Sequence, residues 1–319
     1  MVTIINKKRI FYLFILILVI ILGCLFVFNK ETKQEINNES NTDYHTLEYN
    51  GEKYTYNSSI VPILFIGVDG SDDDPMGQAD TIDLVLLCRD DKKIRILTIP
   101  RDTMCDIRTF DVAHKDLGWQ NQHLALAYSY GQNTENGCIL EAQAVSKILN
   151  GIPIPNYGSL NLSNLSALQN IVGQIELYVP NDSLEERLGF FAGDQVVINE
   201  ENVEAYLRTR DTSVDYSDET RRERQKVYMD EYIKKLREML NSDFDGTVKS
   251  MYSLLSKMTT NISLKDLEAY SQMLLNYEFD LSEDYYVLPG TNQNGAYHDE
   301  YIINQEELNQ FIIEKLYKR

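Results

Sequence analysis

IVPILFIGVDGSDDDPMGQADTIDLVLLCRDDKKIRILTIPRDT, residues 60 to 103, holds three apolar runs, each too short for a helix and separated by turn-forming residues. The runs are Ile63–Val68, Leu84–Leu87 and Ile94–Ile99. A continuous apolar run of this length predicts a central strand covered on both faces, because an amphipathic strand would alternate. Helical patterns follow, at Cys138 to Leu149, after a Ser163 cap, at Asn202 to Leu207 and at Thr220 to Leu240. Ser263 with Asp266 makes a capping-box start for Leu264–Leu275, and Asn304 with Glu307 starts a terminal helix. Short strands are expected at Ile175–Val179 and Tyr285–Leu288. The mixture predicts an α/β domain, a three-layer α/β/α sandwich on a central mixed sheet. The long late helical stretch argues against a simple doubly wound fold.

Outward from that core, residues 60–319 suffice for one large domain. Residues 29–59 are polar, with Asn37-Asn38-Glu39-Ser40-Asn41-Thr42, and predict an extracellular linker. Residues 10–28 carry no charge and are rich in Ile, Leu, Val and Phe, long enough for one transmembrane helix. Lys7, Lys8 and Arg9 before it, against Lys30 and Lys33 interleaved with Glu31 and Glu35, keep residues 1–9 cytoplasmic and the domain outside. A cleaved signal peptide competes, without a small-x-small site. Leu22-Gly23-Cys24 is lipobox-like, but the apolar run continues through Phe28. Cys105 and Cys138 lie in the outer domain, where an oxidising compartment permits a disulfide between them. No cysteine or histidine spacing suggests zinc.

The chain carries 49 acidic against 30 basic residues, net −19, which opposes binding to nucleic acid. Against that background Arg208, Arg210, Arg221, Arg222 and Arg224 cluster. Such crowding costs self-repulsion, which a phosphate or pyrophosphate offsets, and guanidinium forks suit its oxygens. Arg221, Arg224 and Gln225 share a helix face. The competing reading is a solvated face paired with Glu219 and Glu223. Asp69 ends the first strand and Asp80 opens the second, so both are expected at one sheet edge, where two carboxylates need a cation such as magnesium between them. The plainer alternative makes Asp69 a turn former and Asp80 a strand cap. Pro100 ends the third strand and brings Arg101 and Asp102 to that edge.

The segments ILFIGVDG, ADTIDLVLL, ILTIPRDT, YLRTRD and ETRRERQ, in this order after one N-terminal membrane helix, resemble the LytR-CpsA-Psr family from Ile60 to Tyr232. The resemblance implies a cell-membrane protein, single-pass with its N-terminus inside, and a magnesium-dependent phosphotransferase outside. Such proteins move a glycopolymer, a teichoic acid or capsular polysaccharide, from an undecaprenyl-pyrophosphate carrier to a peptidoglycan acceptor. It implies catalytic roles for Asp69, Asp80, Arg101 and Asp102, magnesium at Asp69 and Asp80, and pyrophosphate at Arg101, Arg208, Arg210, Arg221, Arg224 and Gln225. Asp102 or a metal-bound Asp takes the attacking proton. Gln78 departs from the pattern, standing where the family often has Arg. The alternatives are a non-catalytic binder of polyprenyl phosphate or wall polymer, and a hydrolase of the pyrophosphate-linked substrate.

Overall fold

The computed structural model describes residues 46–70, 75–209, 217–295 and 299–319. β1 (Thr46–Tyr49) and β2 (Glu52–Tyr56) form a hairpin. β3 (Ile60–Val68), β4 (Ala79–Cys88) and β5 (Lys93–Thr98) then run antiparallel in the sheet centre. β6 (Met104–Phe110) and β7 (Asp116–His123) make a projecting hairpin. α1 (Leu126–Ser129) and α2 (Thr134–Ile148) lead into β8 (Asn156–Asn161), which lies parallel to β3. α3 (Leu165–Val172), β9 (Ile175–Tyr178), α4 (Glu185–Leu188), β10 (Gln195–Ile198), α5 (Val203–Arg208), α6 (Ser217–Ser242) and α7 (Phe244–Leu255) follow. The chain closes with β11 (Thr259–Thr260), α8 (Leu264–Asn276), β12 (Tyr285–Val287), β13 (Gly290–Asn294), β14 (Asp299–Ile303), α9 (Gln305–Lys315) and β15 (Tyr317–Lys318).

The six-stranded sheet has the order β11-β8-β3-β4-β5-β12, and it is mixed. Every residue of β3 and β4 is buried, because helices cover both faces. Ile63 and Phe65 point into a core shared with α3, α5, α6, α7 and α8; Leu64 and Ile66 point into a second core with α1, α2 and α9. Each such side chain contributes about 1.5–3 kcal/mol on leaving water. The strand pleat sets the alternating directions, and burial on both faces gives three layers, as the apolar runs predict.

Three expectations need correction or lie elsewhere. Within the linker expected at residues 29–59, the stretch 46–56 instead forms β1 and β2, which pair with each other, and β2 pairs with β15 through Tyr56↔Tyr317, while residues 29–45 lie outside the described residues. The signal was present in Asn50-Gly51, both at positive φ, the turn that a tight hairpin requires. Cys105 and Cys138 are free, buried thiols rather than a disulfide, and burial pushes the Cys138 thiol up to about 12. Residues 10–28 lie outside the described residues, among which no helix is long and apolar enough to cross a membrane.

Candidate functional site

The candidate site is the corner where β3 ends, β4 begins and β5 turns. Ile66 pairs with Ile82 and Gly67 with Thr81, but Val68 pairs with Ala79, so Asp80 is the extra residue of a β-bulge. A bulge leaves its residue out of the ladder and re-aims the side chain. The Asp69 amide donates to Gln78 O at 3.0 Å. Gly77 permits this close approach, since a Cβ there would stand 2.2 Å from Asp69 O. On the other side, the Ala79 amide donates to Ala125 O at 3.1 Å and the Ala125 amide to Arg101 O at 3.0 Å. The turn after β5 closes through the Thr103 amide onto Pro100 O at 2.9 Å.

Arg101 is the centre of this corner. Its guanidinium pairs with Asp80 Oδ1 and donates to Gln78 Oε1. Its Nε lies 3.6 Å from Asp102 Oδ1. Burial lowers its pKa, and the charges of Asp102 and Asp69 work against that drop. Asp80 is completely buried, and its Oδ2 meets no donor among the described residues. Asp69 is exposed. Asp102 Oδ1 also stands 3.6 Å from His123 Nδ1. Asp69, Asp80, Arg101 and Asp102 are thus gathered at one corner. Gln78 sits on Arg101 itself, a neutral acceptor beside the ion pair.

The arginine tract divides. Arg208 ends α5 with its side chain one-third exposed and paired with Glu204 at 2.5 Å. Arg224, expected to grip pyrophosphate, is fully buried and donates to Tyr206 O at 3.2 Å, to Thr209 O and to Ser183 Oγ. Gln225 donates to Leu207 O at 2.9 Å. The last carbonyls of a helix have no partners within it. Arg224 and Gln225 supply partners of this kind for α5, so Arg224 Nε, one N–H on each of its terminal nitrogens and the Gln225 amide are used inside the protein. Burial pulls the Arg224 pKa down to about 10. Arg210 lies outside the described residues, as do the side chains of Arg221 and Arg222. Glu223 is exposed and accepts from Asn181 Nδ2 at 2.9 Å.

Two buried acids near the corner escaped the sequence reading. Asp83, in β4, accepts from Thr98 Oγ1 at 2.5 Å, and burial pushes its carboxyl up to about 7. Its signal was an acid inside an apolar run. Glu141 of α2 accepts the Tyr128 amide at 3.0 Å and anchors α1, whose preceding residue Ala125 bridges Ala79 and Arg101. Burial raises its pKa well above the usual carboxylate range. Among the described residues no group of three metal-ligating side chains occurs. Asp69 and Asp80 make a pair, so a hard cation held there would need further oxygens, from water or a substrate.

The LytR_cpsA_psr family profile matches residues 24–315. A protein of Enterococcus faecalis, the polyisoprenyl-teichoic acid–peptidoglycan teichoic acid transferase TagU, is 26% identical over 82% of this chain and 82% of its own length. The crystal structure of B. subtilis TagV is similar with a TM-score of 0.59 at 22% identity, covering 81% of this chain and 97% of that one. A Streptococcus agalactiae structure gives 0.62 at 21% identity, over 81% and 88%. At these identities the two structures speak for the fold alone.

Proposed function

The chain belongs to the LytR-CpsA-Psr family, and on that premise we propose that it is a membrane-anchored phosphotransferase moving a glycopolymer from an undecaprenyl-pyrophosphate carrier to peptidoglycan. The name of its Enterococcus faecalis relative describes a transfer of this kind. The observation that carries the reading is the buried Asp80–Arg101 pair at the bulge, with Asp80 Oδ2 meeting no donor among the described residues. A fold does not leave a carboxylate oxygen dry and unpartnered without cost. A site for a cation-bearing pyrophosphate accounts for it.

The chemistry follows from charge. A sugar hydroxyl of the acceptor attacks the phosphorus bearing the glycopolymer. A new O–P bond forms, the P–O–P bridge breaks, and polyprenyl monophosphate leaves. Arg101 stabilises the negative charge growing on the phosphate oxygens, with Arg208 as a further donor. Such transfer needs positioning and charge neutralisation more than covalent help. Asp102, with His123 at 3.6 Å, is suited to take the hydroxyl proton. Asp80 Oδ2 and Asp69 are a hard-oxygen donor pair that fits magnesium, which would supply charge neutralisation at the pyrophosphate.

The test is transfer by the full-length protein in detergent, from polyprenyl-pyrophosphate-linked polymer to peptidoglycan. Wild type should form the conjugate and release polyprenyl monophosphate; Asp80→Asn should lose about a hundredfold in rate. Cleavage without any acceptor would favour the hydrolase. Lipid binding without turnover would favour the binding protein. For the anchor at residues 10–28, protease added to intact protoplasts should remove the domain, and full protection would refute the topology.

A further inference from the structure

The chain has one tryptophan, Trp119, and the fold leaves it outside both cores, 40% exposed on the β6–β7 hairpin. The hairpin grows directly out of the site. β6 starts just after Asp102 and Thr103, and β7 returns to His123, whose Nδ1 faces Asp102. Strand alternation puts Trp119, Asn121 and His123 on one face, which they share with their cross-strand partners Arg108, Asp106 and Met104. The row from Trp119 to His123 spans about 13 Å, four residues of extended chain.

The ring is held in place. Arg108 Cζ lies 5.8 Å and Lys147 Nζ 5.0 Å from its centroid. Both cations are themselves neutralised, Arg108 by Asp116 with Nε at 3.0 Å and Lys147 by Asp106 at 3.7 Å. The face is therefore a fixed aromatic plate beside an amide, with little net charge. A flat ring accepts the C–H face of a sugar, and an amide pairs with its hydroxyls. The two cations that touch the ring are already ion-paired, so this face suits the C–H face and hydroxyls of a sugar better than the closely spaced phosphates of a polyanionic polymer. The row also ends at the carboxylate that receives the proton of the attacking hydroxyl.

We propose that the Trp119–Asn121–His123 face is the acceptor subsite, holding a peptidoglycan glycan strand so that its hydroxyl reaches Asp102. The assignment rests on the transfer reading of the Asp80–Arg101 corner. The lone tryptophan is its own reporter. Titrating the full-length protein in detergent with a peptidoglycan-derived tetrasaccharide should change the intrinsic fluorescence saturably. Polyglycerol phosphate at equal concentration should not. Trp119→Ala should raise the acceptor KM about tenfold, the loss of one stacking contact, while affinity for the donor lipid without acceptor stays at the wild-type level. Trp119→Phe should recover most of the KM. A wild-type acceptor KM in Trp119→Ala, a silent titration, or a response to polyglycerol phosphate in place of the tetrasaccharide would each overturn the proposal. Saturable tetrasaccharide binding in a protein with no transfer activity would uphold the subsite and sink the transfer reading alone.

Discussion

Arg101→Ala should destabilise the protein more than Asp80→Ala, and the double variant should cost less than the two single losses together. The asymmetry comes from burial. The Asp80 side chain is 0% exposed and among the described residues Arg101 is its one charged partner, so removing Arg101 strands a carboxylate in the interior. That costs about 3–5 kcal/mol. Removing Asp80 leaves a guanidinium that is 13% exposed, has Asp102 at 3.6 Å and still reaches Gln78. Its loss should be nearer 1–3 kcal/mol. The double variant buries neither charge, so the pair should show a coupling of about 2–3 kcal/mol. Urea unfolding of all four proteins, at pH 7 and with matched m-values, reads these quantities. If Arg101→Ala costs under about 1 kcal/mol, or the losses add within ~0.5 kcal/mol, the two charges are not paired in a dry corner and the reasoning fails.

Further outcomes follow from the buried polar groups. Asp83 has a folded pKa near 7 against an ordinary value of 3.8, so the folded state holds the proton longer. Stability from this group is full below about pH 4 and is lost as pH rises through about 7, by at most ~4 kcal/mol. Asp83→Asn should therefore gain on wild type between pH 5 and pH 8 in urea unfolding, and an equal offset at both would refute the protonated carboxyl. Glu141→Gln should stay within about 1 kcal/mol of wild type, because its carbonyl still accepts the Tyr128 amide, whereas Glu141→Ala should cost about 1–3 kcal/mol and lower the transfer rate by loosening α1. Equal stability of the two variants would show that the anchor is dispensable. Arg224→Lys should lower Tm while leaving pyrophosphate affinity of the folded protein intact; a loss of affinity at unchanged Tm would restore Arg224 to the ligand site.

The central strands were legible because a strand buried on both faces must be apolar at every position, and β3 and β4 are. Two helix starts were legible for a similarly local reason, whereas the expected Ser163 cap is absent, the helix starting after Asn164 with no side-chain cap. The Ser263 hydroxyl accepts the Asp266 amide, and the Asn304 side chain accepts the Glu307 amide. The β6–β7 hairpin was not legible, since DLGWQNQH has no alternation and its strands are held by the partner strand and by α2. The α7 helix, between two longer helical patterns, was also missed.

For the site, the amino-acid sequence alone determined which residue types were gathered, the order of Asp69, Asp80, Arg101 and Asp102, and the strand ends that carry them. Helical spacing likewise put Arg221, Arg224 and Gln225 on one face. It could not say what that face meets, because periodicity defines direction around one helix axis and not the neighbour beyond it. Tertiary structure decided that Arg224 and Gln225 cap the open carbonyls of α5. It also decided that Asp80 turns onto Arg101, since a bulge is a property of two strands in register and neither strand encodes it alone.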